Sequence, residues 1–280
     1  MDAPDRTTTP PPRADGYESF YREFDAPWMR EFRREAYGED IGQHSWVGAD
    51  ELRADMARLR LAPSSHLIDL GCGPAGPLAF VVATVGCAGA GVELSPSAVR
   101  AGRLRCAALG IEARLSVDEA DLNEPLRFAP ASFDAAMSLD VVLHLRDRLK
   151  LFLEAARLLR DGGRFLFTDA GVITGAVSNE DIRKRSVHGY TQFVAPGWNE
   201  RLLESAGFRL VDTEDRTESV LKNAAGRLAA MLTHRAELER LQGAPAWEEQ
   251  RSYLETVVEL SRSRAVSRIM YLAQACAPAT

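Results

Sequence analysis

The stretch His66-Leu67-Ile68-Asp69-Leu70-Gly71-Cys72-Gly73-Pro74-Ala75-Gly76-Pro77 constrains the fold more than any other part of the chain. Alternating and then continuous apolar residues, bounded by turn signals, read as a buried parallel strand. Three glycines within six residues follow. They suit a tight turn, a close approach of backbone to a ligand, and close packing of the next helix on the strand. Pro74 and Pro77 have fixed φ and no N–H, which fits a loop and a first helical turn. The stretch is predicted as strand, ligand-cradling loop and helix.

Beyond this stretch the chain alternates strand with helix. A helix is predicted from Gly76 to Val85, a strand over Ala88–Glu93, and a helix behind the N-cap Ser95 that runs to Leu109. Strands are expected at Ile111–Val117, Phe133–Ser138 and Arg164–Thr168. A helix from Asp147 to Leu159 should stop at Asp161-Gly162-Gly163. After an excursion over 171–195 come a helix to Ala206, a strand over Phe208–Asp212, and a last strand over Val266–Ala273. The series implies an α/β fold, a doubly wound, mostly parallel sheet with helices on both faces.

Gly71-x-Gly73-x-x-Gly76 also fits a dinucleotide fingerprint, and Asp69 separates the readings. A carboxylate two residues before the first glycine would repel a pyrophosphate. It suits a cofactor with positive charge and no phosphate, such as S-adenosylmethionine (SAM). Here the sequence resembles the class I SAM-dependent methyltransferases, whose first motif has the form Asp-x-Gly-x-Gly-x-x-Gly. That resemblance implies a seven-stranded Rossmann-like sheet of order 3-2-1-4-5-7-6 with strand seven antiparallel.

Glu93 ends the second strand, 22 residues after Gly71, where a carboxylate can accept from both ribose hydroxyls. The resemblance implies that Asp121 accepts from the adenine amino group and that the Leu122 backbone N–H faces the ring. Ser138, Leu139 and Asp140 leave the fourth strand at the sheet's carboxyl edge, where ligands of open α/β sheets bind. Ser138 is expected beside the cofactor and Asp140 beside the acceptor. Asp140 and His144 are four apart and could share a helical face.

Ser138-Leu139-Asp140-x-x-Leu143-His144-Leu145, Leu158-Leu159-x-x-Gly162-Gly163 and Phe167-Thr168-Asp169 are similar to the phosphoethanolamine and glycine/sarcosine-type N-methyltransferases. In the phosphoethanolamine enzymes the histidine matched by His144 works with a lid tyrosine as a catalytic latch. The resemblance puts Tyr21 in that role, with Tyr17 next. Tyr190 and Trp198 follow the fifth strand, where acceptor residues come from in this fold, and Arg183, Arg185 and His188 in the same excursion could meet an acidic group.

The remaining segments divide the chain. Residues 1–16, with Thr7-Thr8-Thr9-Pro10-Pro11-Pro12, read as a disordered tail. Residues 17–62 read as an N-terminal helical lid with an aromatic face that includes Phe24, Trp28 and Phe32, and a second helix from Ala49 to Leu61. Residues 63–216 and 264–280 form the cofactor-binding core. Residues 217–263 read as two or more amphipathic helices broken near Gly243-Ala244-Pro245, a second lid.

Net charge is −6, with no Lys/Arg block, which disfavours nucleic acid as a partner. No apolar run approaches the roughly 20 residues of a membrane span. Four scattered cysteines lack metal or redox spacing and point to the cytoplasm, with no metal expected. The resulting expectation is a SAM-dependent methyltransferase of a small-molecule acceptor, an amine nitrogen first and an oxygen or carbon second. The competing readings are a nicotinamide-dependent oxidoreductase and a non-catalytic SAM-binding regulator. The oligomeric state is open to a homodimer.

Overall fold

A computed structural model describes residues 21–187 and 189–276. The expected tail, Tyr17 and His188 lie outside the described residues. Seven strands form one sheet in the order β3-β2-β1-β4-β5-β7-β6. They are β1 (His66–Leu70), β2 (Ala88–Glu93), β3 (Leu115–Glu119), β4 (Phe133–Leu139), β5 (Leu159–Ile173), β6 (Phe208–Asp215) and β7 (Val266–Ala275). β7 runs antiparallel to β5 and β6, and the other pairings are parallel. This is the Rossmann-like methyltransferase fold.

The pleat sorts the strand residues into two cores. Leu67, Met137 and Leu166 face one layer, with α2 (Ala49–Leu59), α3 (Gly76–Val85) and α4 (Pro96–Leu109) against them. Ile68, Ala136, Phe165 and Phe167 face the other, under α5 (Arg148–Leu158) and α7 (Trp198–Ser205). A third apolar cluster meets the sheet at Ala170 of β5. It joins α1 (Pro27–Tyr37) to α8 (Thr217–Thr233), α9 (Arg235–Gln242) and α10 (Ala244–Arg262) through Phe32, Trp46, Met231, Leu238 and Trp247. A short α6 (Asn179–Arg185) packs on α10.

Several boundaries differ from the sequence reading, and three of the shifts have a clear physical cause. Ile111 is buried but sits in a turn, its carbonyl accepting from Arg114 N and Leu115 N, so β3 starts four residues late. α5 ends at Leu158, one residue before the expected Leu159, and the Asp161-Gly162-Gly163 stop falls inside a strand. Leu159 already pairs with Phe133, and the glycines form an irregularity inside β5. β5 also continues to Ile173 because antiparallel β7 offers partners that far, Val172 to Ser267 and Ile173 to Val266.

Candidate active site

The carboxyl ends of β1, β2 and β4 and the helices of the third cluster line one cavity of about 710 Å³. Its sheet-side half is built by the glycine loop. Gly71 has φ +87°, and a Cβ there would stand 2.6 Å from Val141 Cγ2. The Gly73 N–H donates to Glu93 Oε2 (3.0 Å) and Ser95 N–H to Glu93 Oε1 (2.9 Å), so the loop and the β2 exit lock the carboxylate in place. Asp69, Gly71, Gly73, Glu93, Asp121 and Leu122 all line this half. Asp121 Oδ1 accepts from the backbone and side chain of Asn123, which holds the turn after β3.

Asp69 is 2% exposed, and its Oδ1 has no hydrogen-bond partner among the described residues. Burial pushes its carboxyl well above the ordinary carboxylate range, and Glu93 adds to the rise. An orphaned buried acceptor beside a glycine cradle fits a ligand that brings a cation and hydrogen-bond donors. The ammonium of SAM is such a donor.

Gly76, expected in the cradle, does not line the cavity. A Cβ there would stand 2.0 Å from the Gly42 carbonyl oxygen, so this glycine lets residues 40–43 cross close over α3. Ser138 is also displaced from its expected place. It is fully buried, and its hydroxyl donates to the Leu70 carbonyl (2.8 Å), tying β4 to β1 beneath the site.

Asp140 lines the cavity but shares no helical face with His144. Its φ is +61°, and a single 3-10 turn, Val142–His144, begins only after it. Its Oδ1 accepts from Thr168 Oγ1 (2.8 Å) and Arg268 Nε (2.7 Å), and its Oδ2 from Trp46 N (2.8 Å). These bonds over-determine a left-handed conformation that an unsupported residue would leave. The Trp46 peptide is held from its other side as well, its carbonyl accepting from Asn223 Nδ2 of α8 (2.7 Å). Asp140 therefore joins the sheet to the helices instead of offering a free carboxylate to an acceptor.

His144 lies on the cavity wall at the join of the two halves. Its Nδ1 sits 3.2 Å from the Tyr190 carbonyl oxygen. Burial holds the imidazole below its ordinary pKa, while that carbonyl pulls the other way. Tyr190 lines the cavity too, with Arg146 6.0 Å from its ring. Tyr21 stands over the glycine loop, its hydroxyl 3.8 Å from where a Gly73 Cβ would be, edge-on to His44 and Phe24. Trp198 does not belong to the cavity. It is 43% exposed at the start of α7, beside Arg201. Arg183 is an exposed partner of Glu180, whereas Arg185 is buried on the cavity wall.

The helical half contains residues that the sequence reading missed: Trp46, Arg227, Met231, Trp247 and Tyr253. The rings of Trp46 and Tyr253 stack at 6.4 Å. No local motif marks these positions. They come together only when residues 27–48 meet the 217–263 insertion.

Residues 68–167 match the family model described as "Methyltransferase domain". Methyltransferase GfsG of Streptomyces halstedii is 30% identical over 167 residues, 58% of this chain and 59% of that protein, so the chain spans less than two thirds of its length. The sarcosine/dimethylglycine N-methyltransferase of Halorhodospira halochloris is 28% identical over 224 residues, 74% of this chain and 75% of that protein. The phosphoethanolamine N-methyltransferase 2 of Haemonchus contortus, solved with phosphomonomethylethanolamine and S-adenosylhomocysteine, superposes with a TM-score of 0.76 at 20% identity, over 92% of this chain and 60% of that one.

Proposed function

Because residues 68–167 form a class I methyltransferase domain whose cofactor is SAM, we propose that the chain methylates a small-molecule acceptor held under the helices of residues 27–48 and 217–263. The observation that carries this reading is the single cavity. It joins an acid-lined glycine cradle to a chamber that His144 borders. SAM, when bound, supplies a methyl group on a sulfonium already activated for in-line displacement.

In this reading Asp69 accepts from the cofactor ammonium and Glu93 from the ribose hydroxyls. Asp121 and the Leu122 N–H bracket the adenine. His144 takes the acceptor's proton. A depressed pKa keeps the imidazole neutral and able to do so below its ordinary range. Tyr21 covers the join of the two ligands, and the helices exclude water, as an in-line transfer at near-attack distance requires. A chamber of about 710 Å³ beneath these helices supports a small acceptor over a nucleic acid. No helix among the described residues is long and apolar enough to cross a membrane. Unpaired Cys72, Cys87 and Cys106 support a cytoplasmic setting.

An amine nitrogen leads as the acceptor atom, supported by relatives named as N-methyltransferases. Oxygen is the second reading, favoured by the buried Arg185 and Arg227 in the chamber, which disfavour a cationic amine. The test is calorimetric binding of SAM, S-adenosylhomocysteine and NADH, followed by methyl transfer to amine, phenol and carboxylate panels. Binding of NADH alone would overturn the reading. If His144→Ala left turnover unchanged at every pH, the base role would be wrong.

A further inference from the structure

Opposite signs of charge line the two halves of the cavity. Asp69, Glu93 and Asp121 stand on the cofactor side, and Arg185 and Arg227 on the acceptor side. The two arginines are 5% and 7% exposed. Arg185 donates to the Tyr253 hydroxyl (2.8 Å) and the Ala170 carbonyl (3.0 Å), both neutral groups. Arg227 lies over the Trp46 ring. Neither has a carboxylate partner among the described residues. The acid facing them from the helices is Glu249, exposed at the rim of α10, while Asp140 is already committed to Arg268. Buried guanidiniums without counter-charge are costly unless a ligand supplies the anion.

The aromatic walls tell against a cationic acceptor. Trp46, Tyr253 and Trp247 each carry a guanidinium carbon within cation–π reach, Arg227 at 4.9 Å, Arg185 at 5.3 Å and Arg235 at 4.4 Å from the ring centroid. A cage for an ammonium needs π faces that no other cation has engaged. Phe32, Val187, Met231, Leu238 and Leu254 give the chamber a broad apolar wall beside the polar Gln242, Glu249 and Gln250. A compact zwitterion would leave those side chains uncovered.

We propose that the acceptor carries an anionic head group, a carboxylate or phenolate, on an apolar body, and that Arg227 on α8, with Arg185 on the same cavity wall, selects that head group apart from the atom that is methylated. This rests on the chamber being the acceptor site of a methyltransferase. The proposal departs from the small amines named for the N-methyltransferase relatives. If nitrogen is methylated, the amine belongs to a molecule that also carries the anion.

The test is calorimetry on the chain loaded with S-adenosylhomocysteine, using 4-phenylbutyrate, 4-phenylbutylamine and 4-phenylbutan-1-ol, which differ only in the head group. The carboxylate should bind about tenfold tighter than the amine and the alcohol. Arg227→Gln should bring it down to the alcohol's affinity and Arg227→Lys should keep part of the preference, with S-adenosylhomocysteine affinity unchanged in both. An amine or alcohol that equals the carboxylate, binding of none of the three at millimolar concentration, or a preference that survives Arg227→Gln would overturn the proposal. Failure of S-adenosylhomocysteine itself to bind would instead sink the methyltransferase reading. The head-group preference can be measured on the unloaded chain.

Discussion

The two halves of the cavity are made in different ways. The cofactor half comes from short loops at the ends of adjacent parallel strands, each within a few residues of a strand that the sheet holds in register. The acceptor half comes from helices about 180 residues apart in the chain, Tyr37 to Thr217, packed through the third apolar cluster. The first half is acidic and backbone-lined, the second basic and side-chain-lined. A site built on backbone is specified by local rules, whereas a site built on helix faces is specified by packing. One fold can therefore keep its cofactor while its acceptor changes.

The seam between the halves is where the largest effect is expected. Arg268 is 1% exposed and donates to Asp140 Oδ1, Glu51 Oε1 (2.6 Å) and Thr168 Oγ1 (3.2 Å). Arg268→Met should strand the buried Asp140 carboxylate. Removing one partner of a buried pair costs about 3–5 kcal/mol, here in urea unfolding. Affinity in both halves should fall together, because Asp140 holds Trp46. A loss under about 1 kcal/mol would show that the seam does not join them.

Smaller effects should separate the halves. His144→Gln should lower turnover about 10²–10³-fold while cofactor affinity holds. In the unsubstituted chain, burial lowers the imidazole pKa, so the neutral base persists on the acid side. The acid limb of turnover should then lie below the ordinary histidine value of 6.5. A limb above 6.5 would assign it to another group. Glu93→Gln should act on the other half alone. Its carboxylate gathers the Gly73 and Ser95 amides, and the loss should weaken S-adenosylhomocysteine about tenfold without moving the affinity of a chamber probe. If probe affinity fell equally, the halves would not be independent.

The same contrast governs what was legible in the sequence. Asp69, Gly71, Gly73 and Glu93 could be read because strand–loop–helix units carry periodicity, turn residues and caps within a dozen residues of one another. Ser138 shows the limit of that reading. Its place at a strand end was legible, but the hydroxyl's turn toward Leu70 depends on which way the strand leaves the sheet. Asp140 and His144 looked like a helical pair because spacing carries no sign of a positive φ. Trp46 and Arg227 carry no mark at all. Each looks like an ordinary helix or loop residue until α8 lies beside the 40–48 loop, with Asn223 bonded to the Trp46 carbonyl.

The smallest effect concerns one proton at Asp69. In the unliganded chain, burial and Glu93 raise this carboxyl well above its ordinary value, so the folded state holds a proton that the unfolded chain releases. The group therefore destabilises the unliganded fold progressively as pH rises from its unfolded value toward the raised one. A cofactor ammonium at Oδ1 favours the ionised form and lowers the pKa again. Binding should then release up to one proton, and affinity for S-adenosylhomocysteine should rise with pH, by at most about tenfold per unit. The window opens above the ordinary aspartate value of 3.8 and extends toward the raised one. Calorimetry in buffers of different ionisation enthalpy measures the release directly. Asp69→Asn should abolish both the release and the slope, while Arg227→Gln, in the basic half, should leave them intact. Proton uptake, or a slope that survives in Asp69→Asn, would mean that the orphaned carboxylate is not what meets the cofactor's charge.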